Sequence, residues 1–263
     1  MTEYVLGSDP DEIARLDGQA ASIAGASQGL LRMAGIGPGM RVLDLGTGLG
    51  HVARQALELV GPSGAVVGVD REAPLLAVAE QRRTADNLRF VEADVRTVTF
   101  DEPFDAIVCR LLLFHLPDAV AVLGHHRANL RPGGTMVAID YDTGSSRSEP
   151  DVPLVRQALG WVDAAFRAAG ADPRIGARLG PLLREAGFAD VQSLGIQAYF
   201  APDDPAAPAL LSGVVKSLSR PILAGGIASE AELDALPARL REAIAEADAV
   251  VLPPTVVGAW GHT

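Results

Sequence analysis

The chain has very few thiols and amines: Cys109 is the only cysteine and Lys216 the only lysine among its 263 residues. A single cysteine excludes an internal disulfide and every zinc site built from several thiolates. It also favours a reducing compartment, so we expect a cytoplasmic protein. Because arginine carries nearly all of the positive charge, we interpret the scarcity of lysine as a compositional bias and not as the mark of a site.

Excess positive charge and long apolar runs are also absent. The 33 acidic residues outnumber the 22 basic ones, which gives a formal net charge of −11. Without a cationic surface the chain is not expected to bind nucleic acid. No uncharged run is long enough to cross a bilayer, and the acidic N-terminus lacks an apolar core behind basic residues. We therefore expect neither membrane insertion nor export.

What is present is a regular alternation of short apolar runs and helical patterns. With 48% hydrophobic and 21% charged residues, the chain is expected to be globular. Strands are predicted at 41–45, 65–69, 88–92, 104–110 and 135–141, with helices at 8–33, 51–60, 74–83 and 118–130. A break in the first helix is expected near Gly25, and an Arg-Pro-Gly-Gly turn at 131–134 is expected to end the last one. This order predicts an α/β fold with a doubly wound parallel sheet.

The pattern changes after Asp142, where helices dominate. Helices are predicted at 152–169, 178–186, 209–218 and 229–247, the last interrupted at Pro237, and strands at 191–199 and 255–260.

The most informative motif is the glycine-rich stretch Val42–Gly50, which ends the first predicted strand and opens a helix. Glycines in this position allow a tight turn and a close approach of backbone N–H groups to a ligand. The dinucleotide fingerprint requires a third glycine at position 51, which is His51, and Gly50 comes one residue too early. The spacing therefore indicates a nucleotide-like cofactor other than NAD or FAD.

Three aspartates lie at or just after the ends of three successive predicted strands: Asp44, Asp70 and Asp94. Because the carboxyl ends of parallel strands share one edge of a sheet, these carboxylates are expected to surround one crevice. Asp44 suits an ammonium group better than a pyrophosphate. Asp70 could accept hydrogen bonds from two ribose hydroxyls, and Asp94 could accept one from an adenine amino group.

These features resemble the class I S-adenosylmethionine-dependent methyltransferases, especially the small-molecule branch that includes the ubiquinone-biosynthesis-like enzymes. The matching segments are Val42–Gly50, Val67–Asp70, Phe90–Val95, Phe104–Leu113 and Leu130–Asp140. The resemblance implies S-adenosylmethionine as the cofactor, with S-adenosylhomocysteine as its product. The cofactor-binding residues that it implies are Asp44, Gly46, Thr47, Gly48, Gly50, Asp70, Arg71, Asp94, Val95, Arg110 and Leu111.

The resemblance also implies the organisation of the chain. It predicts a seven-stranded, mostly parallel sheet, with residues 1–34 as an N-terminal helical lid and 35–142 as the cofactor-binding core. Residues 143–263 are expected to form a helical substrate-covering insertion after the fifth strand, followed by C-terminal strands that complete the same sheet. Substrate contacts are expected from Tyr4, His115, Tyr141 and Trp161. A frayed terminus is the alternative for Tyr4, and core packing is the alternative for Trp161.

Methyl transfer requires in-line positioning, and a base only where the acceptor is protonated. His115 follows the fourth strand and is the candidate acid or base, although a packed loop histidine would also fit this position. No third ligand accompanies Asp140 and Asp142, so no metal is expected.

The predicted function is transfer of a methyl group from S-adenosylmethionine to a small organic acceptor in secondary metabolism. The alternative is a fold relative that binds the same cofactor but catalyses a cyclisation or rearrangement without methylation. The expected partner is a small molecule, with neither nucleic acid nor membrane, and a homodimer is left open.

Overall fold

The computed structural model describes residues 10–263, which form two compact units. The sheet unit comprises residues 10–140, 175–195 and 256–263, and the helical unit comprises 141–174 and 196–255. The helices are α1 Pro10–Met33, α2 His51–Val60, α3 Ala73–Gln81, α4 Ala119–Arg127, α5 Pro153–Ala168, α6 Leu179–Glu185, α7 Ala206–Ser217, α8 Ser219–Ala224 and α9 Glu230–Glu246. The strands are β1 Arg41–Leu45, β2 Ala65–Asp70, β3 Leu88–Glu92, β4 Phe104–Arg110, β5 Leu130–Asp142, β6 Arg147–Glu149, β7 Ala189–Ile196, β8 Val250–Leu252 and β9 Thr255–His262.

The main sheet has seven strands in the order β3-β2-β1-β4-β5-β9-β7. β1 pairs in parallel with both β2 and β4, and β2–β3 and β4–β5 are parallel as well. The strand order reverses between β1 and β4, so the loops that leave these two strands diverge at the carboxyl edge and open a crevice there. The predicted fold class, a seven-stranded and mostly parallel α/β sheet, is confirmed.

The core of the sheet unit is built from strands that are apolar on both faces, as expected for a parallel sheet covered by helices. Leu43, Ile107 and Met136 are fully buried in neighbouring strands. Cys109 belongs to the same cluster and is 1% exposed. Burial raises the pKa of its thiol, and the nearby carboxylates of Asp140 and Asp44 raise it further.

Three local predictions were wrong because tertiary packing overrides local signals. α1 runs unbroken through Gly25, and α9 runs unbroken through Pro237. Each of these helices buries an apolar side against its own unit, which offsets the helix-breaking tendency of one residue. Residues 131–134 lie within β5 and do not form a separate turn. They occupy a register shift, where Phe104 pairs with Leu130 but Ala106 pairs with Thr135.

The helical unit has its own hydrophobic cluster, formed by α5, α7, α8 and α9. A short antiparallel pair, β6 with β8, accompanies these helices. α9 begins with a capping box in which the Ser229 hydroxyl and the Glu232 carboxylate each satisfy a backbone N–H of the first turn. Among residues 10–263, no helix is both long and apolar enough to span a bilayer.

Candidate active site

The glycine loop lies between the end of β1 and the start of α2. Gly46, Gly48 and Gly50 have φ angles of 67°, 51° and 75°, a left-handed conformation that side chains with a Cβ rarely adopt. Loop hydrogen bonds hold this shape: the Thr47 N–H donates to the Val69 carbonyl at 2.9 Å, and the Gly50 N–H donates to the Thr47 carbonyl at 2.8 Å. The sequence Gly-x-Gly-x-Gly is therefore dictated by backbone geometry.

The space around the three glycines differs from one to the next. A Cβ at Gly46 would lie 2.8 Å from Leu112 Cδ1, and one at Gly50 would lie 2.8 Å from Phe90 Cζ. These two glycines permit close packing within the protein. A Cβ at Gly48 would meet no atom of the described residues 10–263 within 4 Å. The middle of the loop thus faces open space, as a cradle for a ligand requires.

Asp44 lies beneath the loop and is 1% exposed. Its Oδ2 accepts a hydrogen bond of 2.6 Å from the Thr47 hydroxyl. Burial raises the pKa of the Asp44 carboxyl to about 7, while the Thr47 hydroxyl and the charge of Arg110 offset part of this effect. A buried carboxylate with so little compensation is suited to a cationic ligand.

Asp70 ends β2 and is directly connected to the loop. Its Oδ2 accepts a hydrogen bond from the Gly48 N–H at 2.8 Å, and its Oδ1 accepts one from the Glu72 N–H at 3.0 Å. The side chain is half-buried, so the remaining lone pairs of the carboxylate can reach a ligand at the crevice. The structure therefore brings Asp70 and Gly48 together as the sequence predicted.

Asp94 lies at the same edge but is already engaged. The Arg96 Nε donates to both carboxylate oxygens, at 2.9 and 3.0 Å, and the Arg96 N–H donates to Oδ1 at 2.9 Å. These hydrogen bonds lower the pKa of Asp94 to about 2. The Val95 carbonyl accepts from His126 Nε2 at 2.7 Å. The roles of Asp94 and Val95 at an adenine ring remain predictions.

The end of β4 supplies the opposite side of the crevice. Arg110 Nη1 donates to the buried Ser27 hydroxyl of α1 at 3.3 Å. Leu111 has a φ of 53°, a strained conformation for a leucine, and its N–H donates to the Ile139 carbonyl at 2.9 Å. Strain of this kind concentrates at functional sites. Arg71, after β2, is exposed and donates to Glu72 Oε1 at 3.1 Å.

His115 ends a short 3₁₀ helix, Leu113–His115, that follows Leu111. Its ring lies against the Phe114 ring, with 3.7 Å between their centroids. The Phe114 N–H donates to Oδ2 of the buried Asp140 at 3.3 Å, which anchors this turn to β5. Burial lowers the pKa of His115 to about 4, helped by the positive charges of Arg71 and Arg15. At neutral pH the imidazole is therefore uncharged and able to accept a proton.

A family model described as a methyltransferase domain matches residues 36–175. The chain belongs to this family. It is a methyltransferase that uses S-adenosylmethionine, as the resemblance in sequence implied.

Two curated relatives support this assignment. The methyltransferase str2 of Strobilurus tenacellus is 30% identical over 223 residues, which cover 82% of this chain and 79% of that protein. The ubiquinone/menaquinone biosynthesis C-methyltransferase UbiE of Hahella chejuensis is 32% identical over 129 residues, or 47% of this chain and 49% of that protein. The methyltransferase thus matches UbiE over about half the length of either protein.

Solved structures share the fold. The phosphoethanolamine N-methyltransferase 2 of Haemonchus contortus, in complex with S-adenosyl-L-methionine, aligns with a TM-score of 0.56 over 91% of this chain and 52% of that one. The two sequences are 20% identical, so the likeness concerns the fold.

The residues of the crevice fit S-adenosylmethionine. The open space at Gly48 is a cradle that a Cβ would fill, and the adjoining Asp70 carboxylate presents oxygens suited to ribose hydroxyls. The buried Asp44 carboxylate matches the positive charge of the methionine part. Which of these groups contact the cofactor remains a prediction.

Replacing Asp44 with asparagine should stabilise the ligand-free methyltransferase at alkaline pH. Because the pKa of Asp44 is about 7 in the folded state against a reference of 3.8, folding favours the protonated form. The free energy of unfolding therefore falls as the pH rises from about 4 to about 7 and is level above that range. Asparagine keeps an acceptor for Thr47 without the charge, so the variant should gain up to about 4 kcal/mol at pH 8 and almost nothing near pH 4.

Urea denaturation at pH 4, 6 and 8 measures this difference, with Asp101→Asn, in an exposed loop, as the control for removing one charge. If the difference in unfolding free energy between Asp44→Asn and wild type is the same at every pH, the raised pKa of Asp44 is contradicted.

Of the predicted substrate residues, His115 lies in the turn after β4. Tyr141 and Trp161 belong to the helical unit, and Trp161 is 7% exposed within its hydrophobic cluster. Tyr4 lies outside the described residues. Substrate contacts by these three residues remain predictions.

One feature of the site was missed by sequence reasoning: a charged network at the start of α2. It connects Asp17 of α1, His51 and Arg54 of α2, and Arg82 after α3. Its longest separation is 65 residues, from Asp17 to Arg82. No local sequence pattern predicts a contact over so large a sequence separation, because each residue alone resembles an ordinary surface charge.

Proposed function

We propose that this methyltransferase transfers the methyl group of S-adenosylmethionine to a small organic acceptor, in a biosynthetic reaction of secondary metabolism. The observation that carries the donor side is the open cradle at Gly48 beside the Asp70 carboxylate. The similarity to an enzyme named for ubiquinone and menaquinone biosynthesis supports a small acceptor. The net charge of −11 is unfavourable for a polyanionic substrate such as nucleic acid.

The residues of the crevice have distinct tasks in this proposal. S-adenosylmethionine supplies an electrophilic methyl group on a positively charged sulfur. The loop from Gly46 to Gly50 would hold the methionine part, with Asp44 compensating its ammonium charge. Asp70 would accept hydrogen bonds from the ribose hydroxyls. Arg110 and Leu111 would border the methionine part on the β4 side.

His115 would remove a proton from the acceptor. It stands in the turn after β4, at the same edge of the sheet as the glycine loop, and is uncharged at neutral pH. With a pKa of about 4 in the ligand-free protein it is a weaker base than an ordinary imidazole, so this role requires an acceptor proton that is itself acidic. Its contribution to the rate would be about 10²–10⁴-fold.

His115→Ala should lower kcat by about 10²–10⁴-fold and leave the affinity for S-adenosylhomocysteine nearly unchanged. His125→Ala is a suitable control, because His125 belongs to α4 and its Nε2 is already engaged by the Val98 carbonyl at 2.8 Å. Steady-state kinetics with calorimetry compares the two. An unaltered rate for His115→Ala would assign His115 a packing role only.

Mass spectrometry tests the reaction itself. The purified protein is incubated with S-adenosylmethionine and a panel of phenolic, quinol and amine acceptors. A product heavier by one CH₂ unit, with equimolar S-adenosylhomocysteine, is expected. A rearranged product without this gain, from a chain that binds the cofactor, would favour a cyclisation or isomerisation instead.

A further inference from the structure

The donor loop is connected to the N-terminal helix by the charged network around Asp17. The Asp17 carboxylate accepts two hydrogen bonds from the Arg82 guanidinium, at 2.7 and 3.0 Å. His51 Nε2 lies 2.9 Å from Asp17 Oδ1. The pKa of Asp17 is lowered, mainly by the Arg82 hydrogen bonds, so its negative charge is retained at neutral pH. α1 therefore presents a fixed anion to the first residue of α2.

The network continues from His51 to the glycine loop through Arg54. Arg54 Nη2 is 3.0 Å from His51 Nδ1, and Arg54 Nη1 donates to the Leu49 carbonyl at 2.9 Å. A guanidinium can only donate, so His51 Nδ1 must be the acceptor and the ring proton lies on Nε2, facing Asp17. The links from Arg54 to His51 Nδ1 and to the Leu49 carbonyl then have a matched donor and acceptor. The contact of His51 Nε2 with Asp17 Oδ1 is a close polar contact of 2.9 Å outside hydrogen-bond geometry, so this link is mainly electrostatic.

The charged network ends at Leu49, between the second and third glycines of the loop. Leu49 lies between Gly48 and Gly50, and its carbonyl is the one that Arg54 holds. The same guanidinium packs against the third glycine, since a Cβ on Gly50 would lie 3.1 Å from Arg54 Nη1. Residues 48–50 are held by a few hydrogen bonds: the Gly48 N–H donates to Asp70, the Gly50 N–H to the Thr47 carbonyl, and the Arg54 N–H to the Gly50 carbonyl. The contact of the Arg54 side chain with the Leu49 carbonyl adds to this small number, so it affects how firmly the loop conformation is held.

We propose that Asp17 is a positioning residue for the methyl-donor site, acting through His51 and Arg54 on the conformation of residues 48–50. This inference rests on the proposed donor site. Loss of the Asp17 charge frees the His51 ring, which releases Arg54 and loosens the Leu49 peptide. By reciprocity, a ligand that orders the loop also strengthens the attachment of α1.

Two measurements on Asp17→Asn test the proposal. Calorimetry should show S-adenosylhomocysteine binding weakened by about tenfold, within the usual range for coupled neighbours. Hydrogen exchange in the ligand-free protein should show faster exchange in a peptide spanning residues 46–51, with the interior of α1 still protected. The second readout does not depend on any ligand.

Glu58→Ala is the matched control. Glu58 accepts a hydrogen bond of 2.9 Å from Gln28, so it also links α2 to α1, but from an exposed position outside the loop network. It should leave both readouts within about twofold of wild type. Arg82→Gln removes the other partner of Asp17 and keeps the path to the loop. It should lower thermal stability and change the affinity by less than Asp17→Asn does.

A double-mutant cycle completes the test. Arg54→Gln should weaken binding on its own, and Asp17→Asn should add little in its background, because both act through the same path. Additive losses, an unchanged loop in Asp17→Asn, or an equal loss in Glu58→Ala would overturn the proposal. If the wild-type protein binds no S-adenosylhomocysteine, the proposed donor site is wrong. If the wild-type protein binds it and Asp17→Asn binds it equally well, only the positioning role of Asp17 is wrong.

Discussion

Gly48→Ala should weaken S-adenosylhomocysteine binding on the order of 100-fold, while the fold loses only about 1–2 kcal/mol. The folding cost is the strain of a side chain at a φ of 51°. Within the part of the chain that the structure describes, no atom lies within 4 Å of the added methyl, so no clash there adds to this cost. The binding cost arises because the methyl occupies the space assigned to the ligand.

Gly61→Ala is the matched control for this variant. Gly61 has a φ of 65° and equally open surroundings, but it follows the C-terminal end of α2. It should lose at least as much stability in urea, because its ψ of −167° lies in a region that only glycine readily adopts, and it should keep an affinity within about twofold of wild type by calorimetry. Wild-type binding by Gly48→Ala, or an equal loss in Gly61→Ala, would remove Gly48 from the site.

The second large effect is expected for Asp70→Ala, which should weaken S-adenosylhomocysteine binding by about 10–1000-fold. Its carboxylate is assigned one or two hydrogen bonds to ribose, each worth about 1–3 kcal/mol. The substitution also leaves the Gly48 N–H without its acceptor. Asp70→Asn keeps one acceptor oxygen and should lie between the alanine variant and wild type.

Asp94→Ala is the comparison, because the oxygens of that carboxylate already accept from Arg96. We expect it to cost less than about tenfold in affinity. Calorimetric titration of all three variants measures the order. If Asp94→Ala loses as much affinity as Asp70→Ala, or more, then Asp94 contributes at least as much to cofactor binding as Asp70 and the proposed order is wrong.

The sheet and the donor loop were predictable because their signals are local. Buried parallel strands are continuous apolar runs such as Val66–Val69, and a left-handed turn needs glycine at fixed positions. The carboxyl-edge rule then places Asp70 beside Gly48 without any knowledge of side-chain packing. The structure has a hydrogen bond between the two, and their contacts with the cofactor stay predictions.

The features that sequence reasoning did not foresee depend on contacts distant in sequence or on competition between neighbours. Arg96 lies two residues from Asp94 and donates to both oxygens of the carboxylate that was assigned to the adenine. The attachment of Asp17 to Arg82 spans 65 residues. Aromatic residues at helical spacing, such as Trp161, fit a hydrophobic core as well as a substrate wall, so sequence periodicity alone does not distinguish them.

The burial of Cys109 has a consequence for an enzyme that handles an alkylating agent. Cys109 is the residue before Arg110, near the end of β4, which borders the proposed donor site. Its raised pKa keeps it as a thiol, and the thiolate is the form that attacks electrophiles. The strongest soft nucleophile that the sequence offers is thus withheld from an activated methyl group, which protects the enzyme against its own donor.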